Sequence, residues 1–152
     1  MNLHSQFCVF ERADQASSLL EIAMAMPLLL VTLLGAVDLG RGYFLAMEIA
    51  GAANAGAEYG SQNPTDITGM KTAATVDATD VPNLVASPTY GCECSDGTSF
   101  SASCASTPSC ATNVVYRVSV NVSAAYTPQF PWPGLPSSIP LSSTASMRGG
   151  GN

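Results

Sequence analysis

The chain has 152 residues, of which only 11% are charged, and a formal net charge of −6 at pH 7. This length accommodates one small domain together with a separate helix. Soluble globular proteins typically carry roughly 25% charged residues. Five Lys and Arg residues in all cannot build the basic face that nucleic acid requires. Composition therefore argues against a cytosolic enzyme and against nucleic acid as a partner, and it favours an acidic, exported surface.

Residues 1–16 form a polar segment in which Glu11 and Asp14 outweigh Arg12. Two interpretations stay open: a disordered terminus, or a cytoplasmic leader peptide that a membrane peptidase removes. A secretory signal has a basic start and a small-residue cleavage site after its apolar stretch. The acidic start here argues against that class of signal. Cys8 lies in this segment, apart from the other cysteines.

Residues 17–60 are predicted to form one long helix, with Ser17 or Ser18 as the residue that caps its first turn. Residues 22–37 are almost wholly apolar, and the run is near the roughly 20 residues that span a bilayer. Glu21 stands just before this run, and Pro27 lies inside it. A proline in a helix removes one backbone donor, a defect that neighbouring helices in a membrane or a filament can absorb.

Asp38 and Arg41 follow the apolar run and are three residues apart. They share one helical face at that spacing and are expected to pair. The pair is either a salt bridge where the helix leaves the membrane or a contact between subunits.

Small residues recur at every fourth position further along the helix, in two rows: Gly51, Ala55 and Tyr59, and Ala52, Gly56 and Gly60. Such rows let a helix approach another element closely. Packing against the sheet of the same chain is favoured slightly over a seam between subunits.

Residues 61–152 are predicted to form an extracytoplasmic α+β head domain. Gln62-Asn63-Pro64 ends the long helix, and Thr65–Asp80 has the pattern of a short amphipathic helix capped by Thr65. The apolar face of this helix consists of Ile67, Met70, Ala74 and Ala78, whereas Asp77 and Asp80 are expected to face solvent. Pro82–Pro88 is interpreted as a linker.

Four cysteines follow within one short window: Cys92, Cys94, Cys104 and Cys110. A bond between the first two is geometrically awkward because a single residue separates them. We therefore expect both to pair with the later two, in an order that the spacing leaves open, as in other exported domains. A four-thiolate zinc site is a weaker interpretation, since the usual two C-x2-C pairs are missing. Asp96-Gly97 predicts a hairpin turn inside this loop.

The clearest strand runs from Asn113 to Tyr126, in which Val114, Tyr116, Val118, Val120 and Val122 form one apolar face with a period of two. A proline-rich loop with Phe130 and Trp132 follows. These aromatic side chains are expected to plug the core rather than form an exposed tip. Leu141–Met147 is predicted as the last strand. The expected fold is thus a long N-terminal hydrophobic helix packed on a small antiparallel sheet with a disulfide-stapled loop.

The sequence contains no convincing active site. The single His is His4, the single Lys is Lys71, and nucleophilic catalysis needs a base beside a Ser or Cys. No phosphate-binding or nucleotide-binding motif occurs. We therefore expect no enzymatic activity, no cofactor and no metal.

The N-terminal pattern resembles the TadE-like family of minor pilins from tight-adherence pili. The resemblance rests on the small residue Ala16 with an acid five positions later at Glu21, on Pro27 within the apolar run, and on Asp38-Leu39-Gly40-Arg41 after that run. It extends to about Tyr59. It implies cleavage of a class III, or type IVc, prepilin leader between Ala16 and Ser17. It also implies that Glu21 meets the new amino group at Ser17, in the same subunit or in a neighbour.

The resemblance predicts a structural subunit, pilin or minor pilin, of a type IV-like surface filament whose core is built from the N-terminal helix. Its expected partners are other pilins, the prepilin peptidase and, before assembly, the inner membrane. The protein would then move to an extracellular filament on the cell surface. The alternative is a bitopic envelope protein that stays in the membrane as a pilus assembly factor or binding module.

Overall fold

The computed structural model describes residues 4–106 and 108–150, with side chains from Ser18 onward. Along the chain the elements are α1 (His4–Gln62), α2 (Ile67–Asp77), β1 (Val85–Cys94), β2 (Phe100–Ser101), β3 (Val114–Tyr126) and β4 (Ile139–Gly149). By its contacts the chain divides into an N-terminal unit, residues 1–40, and a C-terminal unit, residues 41–152. The predicted fold class, a long apolar helix and a small antiparallel sheet with a disulfide-stapled loop, is confirmed.

Helix α1 begins at His4 rather than at Ser17. The sequence between them contains neither Gly nor Pro, so nothing in it interrupts the backbone hydrogen bonds of a helix. The prediction that Ser17 or Ser18 caps the first turn is therefore wrong for this chain. The end of α1 at Gln62 agrees with the break predicted at Asn63 and Pro64.

Helix α2 begins one residue later than predicted, because Asp66 rather than Thr65 is its cap. The Asp66 side chain accepts a hydrogen bond from the Gly69 backbone N–H at 2.9 Å, and the Tyr59 hydroxyl donates to the same carboxylate at 2.8 Å. Capping by Asp satisfies one of the free N–H groups of the first turn. Met70 and Ala74 are buried, as the predicted apolar face requires.

The sheet has the strand order β2-β1-β3-β4, and all neighbouring strands are antiparallel. The prediction of a linker over Pro82–Pro88 is wrong in part, since β1 begins at Val85 and pairs with β3 along its whole length. Pro88 is tolerated there because β2 pairs only with Cys92 and Glu93, which leaves β1 as an edge strand at the proline.

The core lies between the sheet and the two helices. Val118, Val120 and Val122 alternate along β3 and are completely buried, as predicted from their spacing. They face small side chains of α1, which include Ala52, Ala53 and Ala57, all with no exposed surface.

The row Ala52, Gly56 and Gly60 allows the close approach of α1. A Cβ atom at Gly56 would lie 3.0 Å from both the Met70 carbonyl oxygen and Val120 Cγ1. Packing within the same chain, the interpretation favoured from the sequence, is therefore confirmed for this row.

Strand β3 runs antiparallel to the part of α1 on which it packs. Val118 lies beside Gly60, Val120 beside Gly56, and Tyr126, the last residue of β3, beside Gly42. We call the end of the C-terminal unit at Gly42 and Tyr126 the proximal end. The distal end lies beside the end of α1, where Gly149 approaches the Ser61 carbonyl.

The loop of residues 127–138 joins β3 to β4 and so begins at the proximal end. Phe130 is 40% exposed and makes an edge-to-face contact with Trp132 at 6.4 Å between ring centroids. The prediction of a buried aromatic plug is therefore wrong. The core between α1 and the sheet is built mainly from Ala and Val side chains, with Tyr59 and Tyr90 packed against it, and four prolines restrict the backbone of the loop.

Candidate functional site

The apolar surface of α1 in the N-terminal unit is exposed. Large apolar side chains from Leu19 to Leu39 are between 39% and 75% accessible. Their most apolar 18-residue window has a mean hydropathy of 2.1, and none of it is buried. By length and composition this is the one helix of the described chain that can cross a membrane. Such a surface is unfavourable in water, by about 25 cal/mol per Å² of apolar area, and requires a cover.

The length of the apolar segment matches a bilayer. Glu21 and Gly40 lie about 28 Å apart along an α-helix that rises about 1.5 Å per residue. The hydrocarbon layer of a membrane is about 30 Å thick. Glu21 is exposed, and α1 continues through Pro27 without interruption. A membrane around this segment would therefore place Glu21 near one headgroup layer and Gly40 near the other.

The remaining predicted assembly and processing residues are less fully defined. Asp38 is only 4% exposed, whereas Arg41 is exposed. Their pairing stays a prediction, as do their roles in assembly. Ala16 and Ser17 lie within the helical backbone, but their side chains and that of Cys8 fall outside the described residues. Cleavage between Ala16 and Ser17 is likewise a prediction.

A charged cluster at the distal end consists of Glu93, Arg117 and Arg148. Glu93 Oε2 accepts a hydrogen bond from Arg117 Nη1 at 3.0 Å, and Oε1 accepts from Arg148 Nε at 2.9 Å and from Arg148 Nη2. The Glu93 side chain is 4% exposed, whereas the two arginine side chains are about half exposed. Hydrogen bonds from Arg148 lower the pKa of Glu93, and those from Arg117 add to this effect against the opposing effect of burial.

This cluster connects three strands and the hairpin turn. Glu93 belongs to β1, Arg117 to β3 and Arg148 to β4. Arg148 also donates to the Ser95 carbonyl at 3.4 Å, and the Arg117 guanidinium lies 5.8 Å from the centroid of the Phe100 ring. A carboxylate that is ionised and held by two cations is a poor proton donor or acceptor at neutral pH. The arrangement is therefore suited to stabilising the distal end.

Sequence reasoning missed the Glu93 cluster. Arg117 and Arg148 lie 24 and 55 residues after Glu93 in the sequence, so no local pattern joins the three residues. One signal was present: Glu93 lies between Cys92 and Cys94, at the position of an alternating strand that faces away from both cysteines.

Two disulfides fasten the loop next to this cluster, Cys92–Cys104 and Cys94–Cys110. The prediction that the first two cysteines pair with the later two is confirmed, and the structure adds their order. Zinc binding by four thiolates is overturned, because each sulfur is bonded to another sulfur. The predicted hairpin is also present: Gly97 has a φ of 78°, and its N–H donates to the Cys94 carbonyl at 2.8 Å.

An open groove of about 900 Å³ is lined by residues of β1, β3 and β4 and by the segment that follows β2. Tyr90, Phe100 and Arg117 contribute its larger side chains, together with small residues of the cysteine loop. The charged side chain in this lining, Arg117, is already bound to Glu93. The groove therefore lacks the paired acid and base that general acid–base catalysis uses.

Comparison with known proteins relates the segment that contains this apolar surface to one family. The family model described as TadE-like protein matches residues 16–58. Neither a search of curated proteins nor a search of solved structures found a match. The resemblance inferred from Glu21, Pro27 and Asp38 to Arg41 is thus confirmed over this segment. The match covers this segment alone, and the one membrane-length apolar helix among the described residues is compatible with membrane anchoring.

Proposed function

We propose that this protein is a structural subunit, pilin or minor pilin, of a Tad-type surface filament. In this proposal the protein is first anchored in the inner membrane by α1 and then enters an extracellular filament. Its role is non-enzymatic and requires no cofactor. The competing function is that of a bitopic assembly factor or binding module that never leaves the membrane.

The observation that carries the proposal is the exposed apolar surface of α1 within the matched residues 16–58. Lipid covers this surface in the precursor. When the subunit leaves the bilayer the same side chains again require an apolar environment, because transfer to water is unfavourable. Packing of α1 segments from several subunits supplies that environment. The apolar surface of α1 therefore serves first to anchor the precursor in lipid and then to pack against other subunits in the filament core.

Processing precedes assembly in this proposal. Ala16 is a small residue, and Glu21 lies five positions after it, as in type IVc prepilins. Cleavage after Ala16 creates a positively charged amino group at Ser17. One helical turn separates this amine from Glu21.

Glu21 gives the helix packing its register. An ionised carboxylate in an apolar filament core costs several kcal/mol unless a cation pairs with it. The amine of Ser17 is the nearest cation that processing produces. Pairing between neighbouring subunits neutralises both charges and selects one axial offset between two otherwise uniform apolar helices. Pro27, Asp38 and Arg41 are the further residues to which we assign an assembly role.

The C-terminal unit suits the outer surface of such a filament. Its two disulfides stabilise the distal end in an oxidising environment. Few charged residues and a net charge of −6 agree with an exported surface. The head therefore remains folded while α1 exchanges lipid for other subunits.

Mass spectrometry of surface fibres sheared from cells tests the proposal directly. We expect the protein in the fibre fraction, with Ser17 as its first residue. Protein that is found only in membranes, with or without residues 1–16, would instead support the bitopic assembly factor. A start well inside the apolar run would indicate an ordinary secretory signal and contradict both functions.

Substitution of Glu21 tests the assembly step. We expect Glu21→Ala and Glu21→Gln to be exported, cleaved and oxidised normally but to be depleted from sheared fibres. Glu58→Gln is the matched control, because Glu58 is an exposed acid on the same helix. Immunoblots of membrane and fibre fractions measure the distribution. Normal fibre levels for both Glu21 variants would show that this acid has no part in assembly.

A further inference from the structure

We propose that residues 127–138, the proline-aromatic loop, form a second contact with the lipid bilayer. In the membrane-anchored precursor, Phe130, Trp132 and Leu135 insert at the headgroup level, next to the point where α1 leaves the membrane. This inference rests on the membrane-anchored stage of the proposed function. It assigns a role to an aromatic segment in which Phe130 and Leu135 are exposed.

The direction of β3 places the loop at the membrane side of the C-terminal unit. β3 packs antiparallel on α1, from Val118 beside Gly60 to Tyr126 beside Gly42. Gly42 lies two residues after Gly40, where the bilayer-length apolar segment ends. The loop begins at residue 127, directly after Tyr126. Residues 127–138 therefore start at the headgroup layer from which α1 emerges.

The side chains of the loop suit that layer. Residues 127–138 include no charged side chain. Phe130 is 40% exposed, Leu135 is 51% exposed, and Trp132 is half-buried. The loop encloses a hollow of about 260 Å³ lined by its own prolines and aromatic rings. Trp and other amphipathic aromatic side chains are enriched where membrane meets water, and proline-restricted loops lose little entropy on binding.

The first turn of α1 in the C-terminal unit carries matching chemistry. Tyr43 is 71% exposed and Phe44 is 56% exposed. Arg41 is exposed beside them and suits the phosphate groups of lipids. The proximal end thus presents aromatic and cationic groups. The distal end, by contrast, carries the Glu93 cluster and the disulfides. Two separate points of contact at one end would hold the head in a fixed orientation on the bilayer.

Trp132 is the only tryptophan of the chain and reports on the loop without any labelling. The experiment uses full-length protein in vesicles of phosphatidylethanolamine and phosphatidylglycerol. Lipids brominated near the headgroup end or near the middle of the acyl chain quench tryptophan at different depths. We expect strong quenching by the shallow bromines, weaker quenching by the deep ones, and little quenching by aqueous iodide. Quenching by iodide but not by brominated lipid would overturn the inference.

A double variant, Phe130→Ser with Leu135→Ser, tests the contribution of the neighbouring apolar side chains. We expect it to float with vesicles as the parent does, through α1, but to lose most of the lipid quenching of Trp132. Val76→Ser is the matched control, because Val76 is 66% exposed on α2, outside the loop. Intact disulfides by mass measurement show that each variant has folded. Unchanged quenching in the double variant would contradict insertion of the loop.

The two proposals fail in different ways. Full-length protein that does not float with vesicles contradicts the membrane-anchored stage and, with it, the loop contact. Protein that floats while brominated lipid leaves Trp132 unquenched contradicts the loop contact alone. Protection of Trp132 from iodide only after assembly into fibres would assign the loop to a contact between subunits and also overturn the membrane contact.

Discussion

Glu93→Gln removes the charge at the centre of the distal cluster while keeping the shape of the side chain. Glu93 accepts hydrogen bonds from Arg117 and Arg148, and a hydrogen bond to a charged group contributes about 1.5–3 kcal/mol net. The two arginine side chains are 48% and 54% exposed, so water replaces part of what they lose. We therefore expect the free energy of unfolding to fall by about 2–3 kcal/mol, below the sum of the separate bonds.

Urea unfolding of full-length protein in detergent, followed by near-UV circular dichroism and Trp132 fluorescence, measures this change. The disulfides stay oxidised throughout, and Glu58→Gln, on the exposed face of α1, serves as the control. We expect the control to differ from the parent by less than about 0.5 kcal/mol. A Glu93→Gln variant that unfolds together with the control at pH 7 would refute the reasoning about this cluster.

The pH dependence provides a second, independent readout. Hydrogen bonds from Arg148 and then Arg117 lower the pKa of Glu93 below its ordinary value in the folded protein, against the opposing effect of burial. The stability that its charge contributes is therefore present above that ordinary value and is lost as the pH falls through the lowered folded pKa. We expect the difference between parent and Glu93→Gln to shrink in this acid range. A difference that is constant from neutral pH to strong acid would assign the effect to shape and not to charge.

Two further substitutions test the packing and the staple. Gly56→Ala would place a methyl group 3.0 Å from the Met70 carbonyl oxygen, so we expect an overpacking cost of about 1–3 kcal/mol, reduced by about 1 kcal/mol of helix propensity. In Gly51→Ala the new methyl group would meet only the exposed carboxylate of Asp77, so this variant should keep the gain in helix propensity. Equal urea midpoints for Gly56→Ala and Gly51→Ala would contradict the close approach of α1 at Gly56. Replacing Cys94 and Cys110 together by Ser opens a disulfide with a sequence separation of 16, and we expect a loss of about 3 kcal/mol. Intact mass with alkylation confirms the remaining bond, and an unchanged unfolding midpoint would show that the staple is dispensable.

Local patterns in the sequence were sufficient for the apolar part and the end of α1 and for β3. A long apolar run predicts a helix even with Pro27 inside it, and Asn63-Pro64 ends that helix because proline lacks a backbone donor, whereas the start at His4 was not predicted. One apolar face with a period of two from Val114 to Val122 predicts a half-buried strand, and the buried valines of β3 confirm it. The close spacing of Cys92 and Cys94 sufficed to exclude their mutual pairing. Glu21 and the residues after Val37 were sufficient for the family resemblance, because that match lies within one continuous segment.

The strand conformation of β1, the order of the disulfides and the Glu93 cluster depend on the tertiary structure and could not be predicted from local sequence patterns. β1 contains Pro88 and Gly91 and lacks a regular alternation, so its strand conformation comes from pairing with β3. The order Cys92–Cys104 and Cys94–Cys110 depends on the path of a loop without secondary-structure preferences. Phe130 is 40% exposed at the proximal end, in a loop for which the sequence offers no periodic pattern. In each case the deciding contact joins residues distant in sequence, and its energy depends on where the folded chain places them rather than on either local segment.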